Sequence, residues 1–177
     1  MYIASEKRCN IATCNRQQVM RLIGIDPGAK GAVALFVADG RFEQVQDMPT
    51  VKSKGRPRVD AAALATMVRR LAPDSAVVEQ VASRPGQGVA SMFTFGRACG
   101  VVDGVLAALQ IPVTYVTSSQ WKGALRVPAD KDGARARASQ LIPQGAECWP
   151  KASNDGRAEA TLIGLYGVRI DGKQVEW

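Results

Sequence analysis

The sequence predicts one α/β domain built on a mixed five-stranded sheet, with three antiparallel strands followed by parallel strands and with helices flanking the sheet. Two observations support this fold class. Short apolar runs separated by the turn signals Pro27-Gly28 and Asp39-Gly40 indicate an antiparallel meander. Further along the chain, short apolar runs alternate with segments of helical periodicity, which is typical of parallel strands joined by helices. A chain of 177 residues is long enough to bury the core of one such domain.

The predicted meander comprises strands 21–26, 31–37 and 41–48. The first of them, RLIGID, has the apolar and β-branched residues of a buried strand and ends where Pro27-Gly28 interrupts it. Segment 49–58 (PTVKSKGRPR) follows the meander. It is predicted to be a mobile loop, because it is polar, basic and rich in residues that interrupt regular structure.

The rest of the predicted fold alternates helices and strands. Asp60 is placed to cap a helix that runs to residue 72. Strand 75–79 (SAVVE) ends on a carboxylate, and 83–88 (SRPGQG) is a predicted loop. Helix 89–109 carries glycines at four-residue spacing, which allows a neighbouring helix to approach closely. The remaining predicted elements are strand 111–116, a helix from a Thr117 cap to residue 125, helix 130–141 and helix 154–168.

The domain is predicted to occupy residues 20–169, because every recognisable pattern begins near Met20. Residues 1–19 are an N-terminal extension of unknown role, and residues 170–177 are a tail. The extension lacks the apolar segment of a secretion signal, and no stretch approaches the roughly 18 apolar residues of a membrane span. The four cysteines lack the paired spacing of zinc ligands. We therefore predict a protein of a reducing cytoplasm, bacterial or phage-infected, with no membrane partner.

The composition restricts the possible chemistry. The formal net charge is +7 and the isoelectric point is near 9.5, which favours a polyanionic partner, although the same charge can serve solubility. The chain contains no histidine. This excludes every mechanism that needs an imidazole as general base or metal ligand, including serine-type triads and the usual zinc hydrolases. A hydrolase of this composition must activate water with carboxylates and a metal ion.

Four acidic residues stand where a catalytic site could form. Asp26 ends the first strand, Glu79 ends the fourth, and Asp155 and Glu159 lie four residues apart on one side of the last helix. Each also has an ordinary explanation, as a turn former, a strand-end acid, a helix cap or a complement of the helix dipole. Two of the acids, however, follow strongly apolar strands, where an isolated charge is poorly placed. If the fold gathers these carboxylates, their repulsion calls for a divalent cation, and hard oxygen ligands select Mg²⁺ or Mn²⁺.

Four segments of the chain form an ordered set of motifs. They are RLIGIDPGAKGAVAL, then VVEQV, then FGRACGVVDGVLAALQIPVTYVTSSQWKGAL followed by DKDGARARA, and last NDGRAEATLIGLYG. In this order they resemble the first strand and hairpin, the second acidic motif, the central helix–strand–helix and the final helix of RuvC-type Holliday junction resolvases. The version here resembles the phage and organellar members. The resemblance covers about residues 21–169.

The resemblance implies an RNase H-like fold, a homodimer, and magnesium-dependent incision of four-way DNA junctions by paired symmetric nicks. It also implies two Mg²⁺ ions per site, with Mn²⁺ as a substitute, bound by Asp26, Glu79, Asp155 and Glu159, and no organic cofactor. The sequence departs from the family at two points. Residues 81–83 (VAS) stand where bacterial members have an aromatic residue that wedges into the junction, and the two last acids are spaced by four residues instead of three.

Basic residues near the predicted site are candidates for contacts with DNA phosphates. Lys122 and Lys131 match basic positions of the family pattern, and Lys30, Arg84 and Arg157 lie close to the acidic motifs in the sequence. Each of them has the alternative of being a solvated surface charge. The basic segment 52–58 could likewise follow the DNA backbone or simply be a soluble loop.

Two further features concern the junction and the dimer. Phe93 and Phe95, or the loop 83–88, are candidates for opening the branch, although core or dimer contacts are the commoner role of such phenylalanines. Trp121 and Trp149 are expected in the core instead of stacked on bases. Helix 89–109 is the candidate dimer interface, since a four-way junction has near two-fold symmetry and two symmetric subunits can act on opposing strands.

Three other functions compete with a junction resolvase. One is another RNase H-like nuclease that processes RNA or trims flaps and branched DNA, and the second is a non-catalytic protein that binds junctions. The third is a sugar kinase-like phosphotransferase, which shares an acid after the first strand. Against the third, the chain is too short for two such lobes and lacks a second glycine-rich phosphate loop.

Overall fold

The computed structural model describes residues 20–37, 40–53, 56–80, 82, 86, 88–130 and 132–173. The N-terminal extension 1–19 lies outside the described residues. The predicted DNA contacts Arg84 and Lys131, and most of the predicted loop 83–88, also lie outside them.

Seven strands and five helices make up the described chain, with two short 3₁₀ turns before the last helix. The strands are β1 Arg21–Asp26, β2 Ala32–Val37, β3 Arg41–Asp47, β4 Thr50–Ser53, β5 Arg56–Val59, β6 Ser75–Gln80 and β7 Val113–Thr117. The helices are α1 Ala61–Leu71, α2 Val89–Ala108, α3 Ser118–Ala124, α4 Gly133–Leu141 and α5 Asp155–Lys173.

Five of the strands form one mixed sheet in the order β3-β2-β1-β6-β7. The β1–β2 and β2–β3 pairs are antiparallel, whereas β6 is parallel to both β1 and β7. This topology confirms the predicted α/β class and the predicted three-strand meander followed by parallel strands. Strand β1 lies at the centre, so its residues are hydrogen-bonded on both edges and its side chains are shielded on both faces.

The two faces of the sheet are covered by different helices. Ile23 and Ile25 of β1 pack in a cluster with buried residues of α1 and α2, such as Leu64 and Val102. Leu22, on the opposite face, packs in a second cluster with α5. Side chains alternate along a strand, so Gly24 and Asp26 lie on the α5 face together with Leu22.

Helix α5 lies unusually close to β1. A Cβ atom added to Gly24 would overlap the backbone of Ala160 and Gly164. No side chain can therefore separate the strand from the helix at this point, and only glycine fits here. The close approach brings the first turns of α5 to the end of β1 where Asp26 lies.

The prediction of a mobile loop at 49–58 is wrong. Strands β4 and β5 pair antiparallel, from Thr50 opposite Val59 to Ser53 opposite Arg56, and form a separate two-stranded hairpin. The reason lies in the apolar residues between the polar ones, since Val59 is buried in the core cluster that contains α1 and α2. Burial of this residue ties the hairpin to the domain.

The predicted N-terminal caps of two helices are present in the structure. The Asp60 carboxylate accepts from the backbone N–H groups of Ala62 and Ala63, which confirms the predicted cap of α1. The predicted cap of α3 by Thr117 is also confirmed. Helix α5 continues to Lys173, beyond the predicted end at residue 168.

Helix α2 corrects the expectation that no segment approaches a membrane span. Among the described residues, α2 is a helix that is long enough and apolar enough to cross a membrane, with a mean hydropathy of 1.3. One side of the helix packs on the core through Ala98, Val102, Val105 and Leu106, and 22% of the apolar window is buried. A single helix of this kind is weak evidence for a membrane partner.

Candidate active site

The carboxyl ends of two neighbouring parallel strands present Asp26 and Glu79 at the same end of the sheet. Ile25 pairs with Val78, so the residues that follow them emerge side by side. Val77 packs in the same cluster as Leu22, so Glu79, two residues later, shares the α5 face with Asp26. This is the end of the sheet where open α/β folds commonly bind ligands.

Helices α3 and α5 complete the site with Lys122 and Glu159. The Lys122 ammonium donates to Glu159 Oε1 at 2.9 Å, and both side chains are only partly exposed. The adjacent residue, Trp121, is fully buried and its indole Nε1 donates to Glu79 Oε1 at 3.3 Å. Two consecutive residues of α3 therefore hold two different carboxylates.

The start of α3 is fixed by a reciprocal cap. The Gln120 backbone N–H donates to Thr117 Oγ1 at 3.3 Å, and the Thr117 N–H donates to Gln120 Oε1 at 2.7 Å. Such a capping box satisfies two backbone donors that would otherwise lack partners. It sets the orientation from which Trp121 and Lys122 reach the acids.

The pKa of Asp26 shows that the acidic side chains of the site interact electrostatically. Burial is the main reason that the pKa of the Asp26 carboxyl is raised to about 7, and the charge of Glu159 is the next. The Gly28 N–H donates to Asp26 Oδ1 and lowers this pKa in part. The pKa of Glu79 is also raised, first by burial and then by Glu159. Lys122 lowers both pKa values. The fold thus collects three carboxylates at a place where their charges are costly.

The donor chemistry of this cluster fits a hard divalent cation. Asp26, Glu79 and Glu159 supply only carboxylate oxygens, and a cation among them would offset the burial and repulsion that raise their pKa values. As they stand, no three acidic or thiol side chains in the described part of the chain are arranged as a ready metal-binding group. Glu159 instead uses one oxygen to accept from Lys122, so metal binding would require this side chain to turn toward the other two.

Asp155 is not brought into the cluster. It lies at the start of α5, where Arg135 Nε of α4 approaches its Oδ1 at 2.7 Å. This is a contact of charges without the alignment of a hydrogen bond, because neither atom has a hydrogen-bond partner. Asp155 is not among the charges that shift the pKa of Asp26 or of Glu79. Its role as a metal ligand stays a prediction.

The basic residues that were predicted to contact DNA and that lie in the described part of the chain have different surroundings. Lys122 lies in the acidic cluster, and Lys30 is exposed beside it, in the turn after β1. Arg157 makes hydrogen bonds within the protein, and its contact with DNA stays a prediction. Its Nε and Nη2 donate to the two carboxylate oxygens of Asp47 at 2.6 and 2.5 Å, and its Nη1 donates to the Cys148 carbonyl at 3.1 Å.

A cavity of about 960 Å³ adjoins the acidic cluster and was not foreseen from the sequence. Asp26 borders it, and the opposite walls are formed by the β4–β5 hairpin and by α2. Trp121 and Trp149 are buried in the core, as predicted, but the bond from Trp121 to Glu79 was not predicted. The one available signal was the adjacency of Trp121 and Lys122 just after a predicted cap.

The comparisons with known proteins find similarity only at the level of structure. No family model matches the chain, and no curated protein sequence matches it. The chain is similar to RuvC of Thermus thermophilus in complex with a Holliday junction substrate, with a TM-score of 0.61 and 20% identity over 86% of this chain and 96% of that chain. It is also similar to the yeast mitochondrial Holliday junction resolvase, with a TM-score of 0.55 and 15% identity over 88% of this chain and 80% of that chain.

A third similar structure is the fowlpox virus Holliday junction resolvase, with a TM-score of 0.50 and 16% identity over 85% of this chain and 99% of that chain. At these identities the likeness establishes the fold. The chain has the RNase H-like fold of RuvC-type resolvases, as the sequence motifs predicted.

Proposed function

We propose that this chain, which has the fold of RuvC-type resolvases, is a structure-selective endonuclease that resolves four-way DNA junctions by metal-dependent phosphodiester hydrolysis. The observation that carries the proposal is the convergence of Asp26, Glu79 and Glu159, from two strands and one helix, at one end of the sheet. In a chain without histidine, a hydrolase must use carboxylates to bind a cation that activates water, and Glu159 lies near enough to raise the pKa of both Asp26 and Glu79.

The cofactor in this proposal is Mg²⁺, two ions per site, with Mn²⁺ as a substitute. Asp26, Glu79 and Glu159 would hold the ions. Bound there, the ions would lower the pKa of an attacking water and stabilise the leaving 3′ oxygen. Asp155 is included in the predicted ligand set only if it exchanges its contact with Arg135 for the metal.

The side chains of the site have separable tasks. Asp26 must lose its proton before it can bind a cation, and its raised pKa makes this step sensitive to pH near neutrality. Trp121 donates to one oxygen of Glu79 and so fixes the orientation of this carboxylate at the site. Lys122 supplies positive charge beside the acids, where it can hold a phosphate or offset charge that develops on it.

A branched DNA substrate is supported by two observations. The structures to which the chain is similar include a resolvase in complex with a Holliday junction, and the net charge of +7 suits a polyanion. The decisive experiment offers a synthetic four-way junction, a plain duplex and a structured RNA to the wild-type protein with Mg²⁺ and with a chelator. We expect cleavage of the junction alone, and only with Mg²⁺.

Variants of the acids make this experiment specific. Asp26→Asn, Glu79→Gln and Glu159→Gln should abolish cleavage but retain junction binding, whereas the exposed Glu43→Gln should leave cleavage unchanged. Cleavage of RNA or duplex in preference to the junction would identify another RNase H-like nuclease. Tight junction binding without metal-dependent cleavage would identify a non-catalytic binding protein.

The proposed enzyme acts as a homodimer through α2. Gly96, Gly100 and Gly104 lie on the exposed side of this helix, and a Cβ atom added to any of them would meet nothing within 4 Å. A second copy could therefore bring its own helix close to this glycine row. Sedimentation of the wild-type protein should show a dimer, and Gly100→Leu should convert it to a monomer. A wild-type monomer that resolves junctions would disprove the dimer proposal.

A further inference from the structure

The cavity beside Asp26 has the shape of a groove with two walls. One wall is the β4–β5 hairpin with the first residues of α1, and the other is formed by residues of α2 that do not include the glycine row, such as Thr94, Phe95 and Arg97. The turn that follows β1 closes the end at which Asp26 lies. We call this space, of about 960 Å³, the hairpin groove.

Positive charge surrounds the hairpin groove on three different elements. Lys30 lies in the turn after β1, Arg58 in β5 and Arg97 in α2, and all three are exposed. None of them takes part in the ion pairs found among the described residues. The carboxylate of Asp60, which also borders the groove, is engaged in capping α1. The groove is therefore lined by three basic side chains against the two carboxylates of Asp26 and Asp60, and the basic side chains are available to an anionic ligand.

The interior of the hairpin groove is mostly apolar. Val59, Phe95 and Ala98 line it. The Phe95 ring lies against Gly28, where its Cε2 is 3.6 Å from the position of an added Cβ, and Asp26 Oδ1 is 3.7 Å from the same point. A partly exposed aromatic ring thus lies immediately next to the acidic cluster.

A set of basic side chains around an aromatic, apolar interior matches a single nucleic acid strand better than a duplex. A duplex offers phosphates on its outside and keeps its bases stacked, so it would leave the apolar interior without a ligand. A single strand offers phosphates to basic side chains and unstacked bases to aromatic rings, which is the usual combination in single-strand binding sites.

We infer that the hairpin groove binds a single DNA strand adjacent to the acidic cluster, with Arg58 and Arg97 contacting phosphates and Phe95 stacking on a base. The inference rests on the proposed function for the origin of that strand, which would be one unpaired near the branch point. Arg97 is positioned for this contact by the exposed ring of Phe93, which lies 5.9 Å from its guanidinium carbon.

Binding in a chelator, where no cleavage occurs, tests this inference. The probes are a fluorescent oligothymidylate and a duplex of equal length, titrated by anisotropy between about 50 and about 200 mM salt. Each phosphate contact adds about 0.7 to the slope of log affinity against log salt for a single strand. Arg58→Gln with Arg97→Gln should therefore reduce this slope by about 1.4 for oligothymidylate, and leave duplex binding unchanged. Restoring the charge as Arg58→Lys with Arg97→Lys should restore the slope.

Two more variants make the result specific. Arg41→Gln removes an exposed arginine at the opposite end of the sheet from Asp26 and should change neither slope. Phe95→Leu keeps an apolar side chain but removes the aromatic face, and should weaken oligothymidylate binding about fivefold or more. Circular dichroism of each variant verifies folding.

An unchanged slope for oligothymidylate in the double variant would overturn the inference. An equal loss for the duplex would also overturn it, because the groove would then bind a duplex arm. The outcome is independent of the nuclease proposal. If the groove variants behave like wild type while Mg²⁺-dependent junction cleavage persists, only the groove inference fails. If they behave as expected but no branched DNA is cleaved, only the nuclease proposal fails.

Discussion

The raised pKa of Asp26 has a consequence for stability that can be measured without any substrate. The pKa of this carboxyl is about 7 in the folded protein against 3.8 for an unperturbed aspartate, mainly because of burial and then because of Glu159. Between these two values the folded protein binds a proton that the unfolded chain has lost. The free energy of unfolding should therefore fall as the pH rises through this window, in the absence of metal.

The magnitude follows from the two pKa values. One pH unit within the window corresponds to about 1.4 kcal/mol, so the whole window amounts to about 4 kcal/mol as an upper limit. Asp26→Asn removes the ionisation and should be more stable than wild type at about pH 8. The difference in unfolding free energy between Asp26→Asn and wild type should decrease by at most about 2.5 kcal/mol between about pH 8 and about pH 5. Because Asp26 borders a cavity open to solvent, we expect between about 1 and about 2.5 kcal/mol.

The assay is urea denaturation in a chelator at both pH values, with Glu43→Gln as the matched control on an exposed strand position. Parallel pH profiles for wild type and Asp26→Asn would refute the reasoning, because they would mean that Asp26 carries no buried charge. Adding Mg²⁺ at about pH 8 should stabilise wild type but not Asp26→Asn. The same proton competes with the metal, so the cleavage rate at limiting Mg²⁺ should rise with pH, with a midpoint at about pH 7.

Three further predictions concern the surroundings of the site. Lys122→Met removes a charge that lowers the pKa values of Asp26 and Glu79, so the midpoint of the pH–rate profile should move upward. Lys122→Arg should keep the wild-type midpoint. An unchanged midpoint in Lys122→Met would contradict the assigned role. Arg157→Gln breaks a partly exposed ion pair with Asp47 and should lower the free energy of unfolding by about 0.5–1 kcal/mol. The salt dependence of junction binding should not change. A shallower salt dependence would show that Arg157 contacts DNA. Gly24→Ala places a methyl group against the backbone of α5 and should destabilise the protein by about 3 kcal/mol in urea denaturation. Gly123→Ala in α3, where an added Cβ meets nothing within 4 Å, should be neutral or stabilising by up to about 1 kcal/mol.

The errors in the sequence analysis have a common physical origin. Segment 49–58 contains breakers and charges, and these suggested a loop. Its pairing into a hairpin depends on the burial of Val59 against helices that come later in the chain. Arg157 stays a predicted phosphate contact, but its bidentate pair with Asp47, which is distant in sequence, was not predicted. Local patterns do not contain such long-range partners.

What the sequence determined by itself is the set of elements and the acids on them. Apolar periodicity, the caps at Asp60 and Thr117, and the strand-end positions of Asp26 and Glu79 are local properties, and they were sufficient to predict the sheet and its mixed topology. Only the tertiary structure decided which acids meet. Glu159 reaches the cluster because α5 packs directly on Gly24, whereas Asp155, one helical turn earlier, contacts Arg135 of a neighbouring helix. The hairpin groove arose in the same way, since its walls come from elements separated in the chain and its charge becomes apparent only when they face each other.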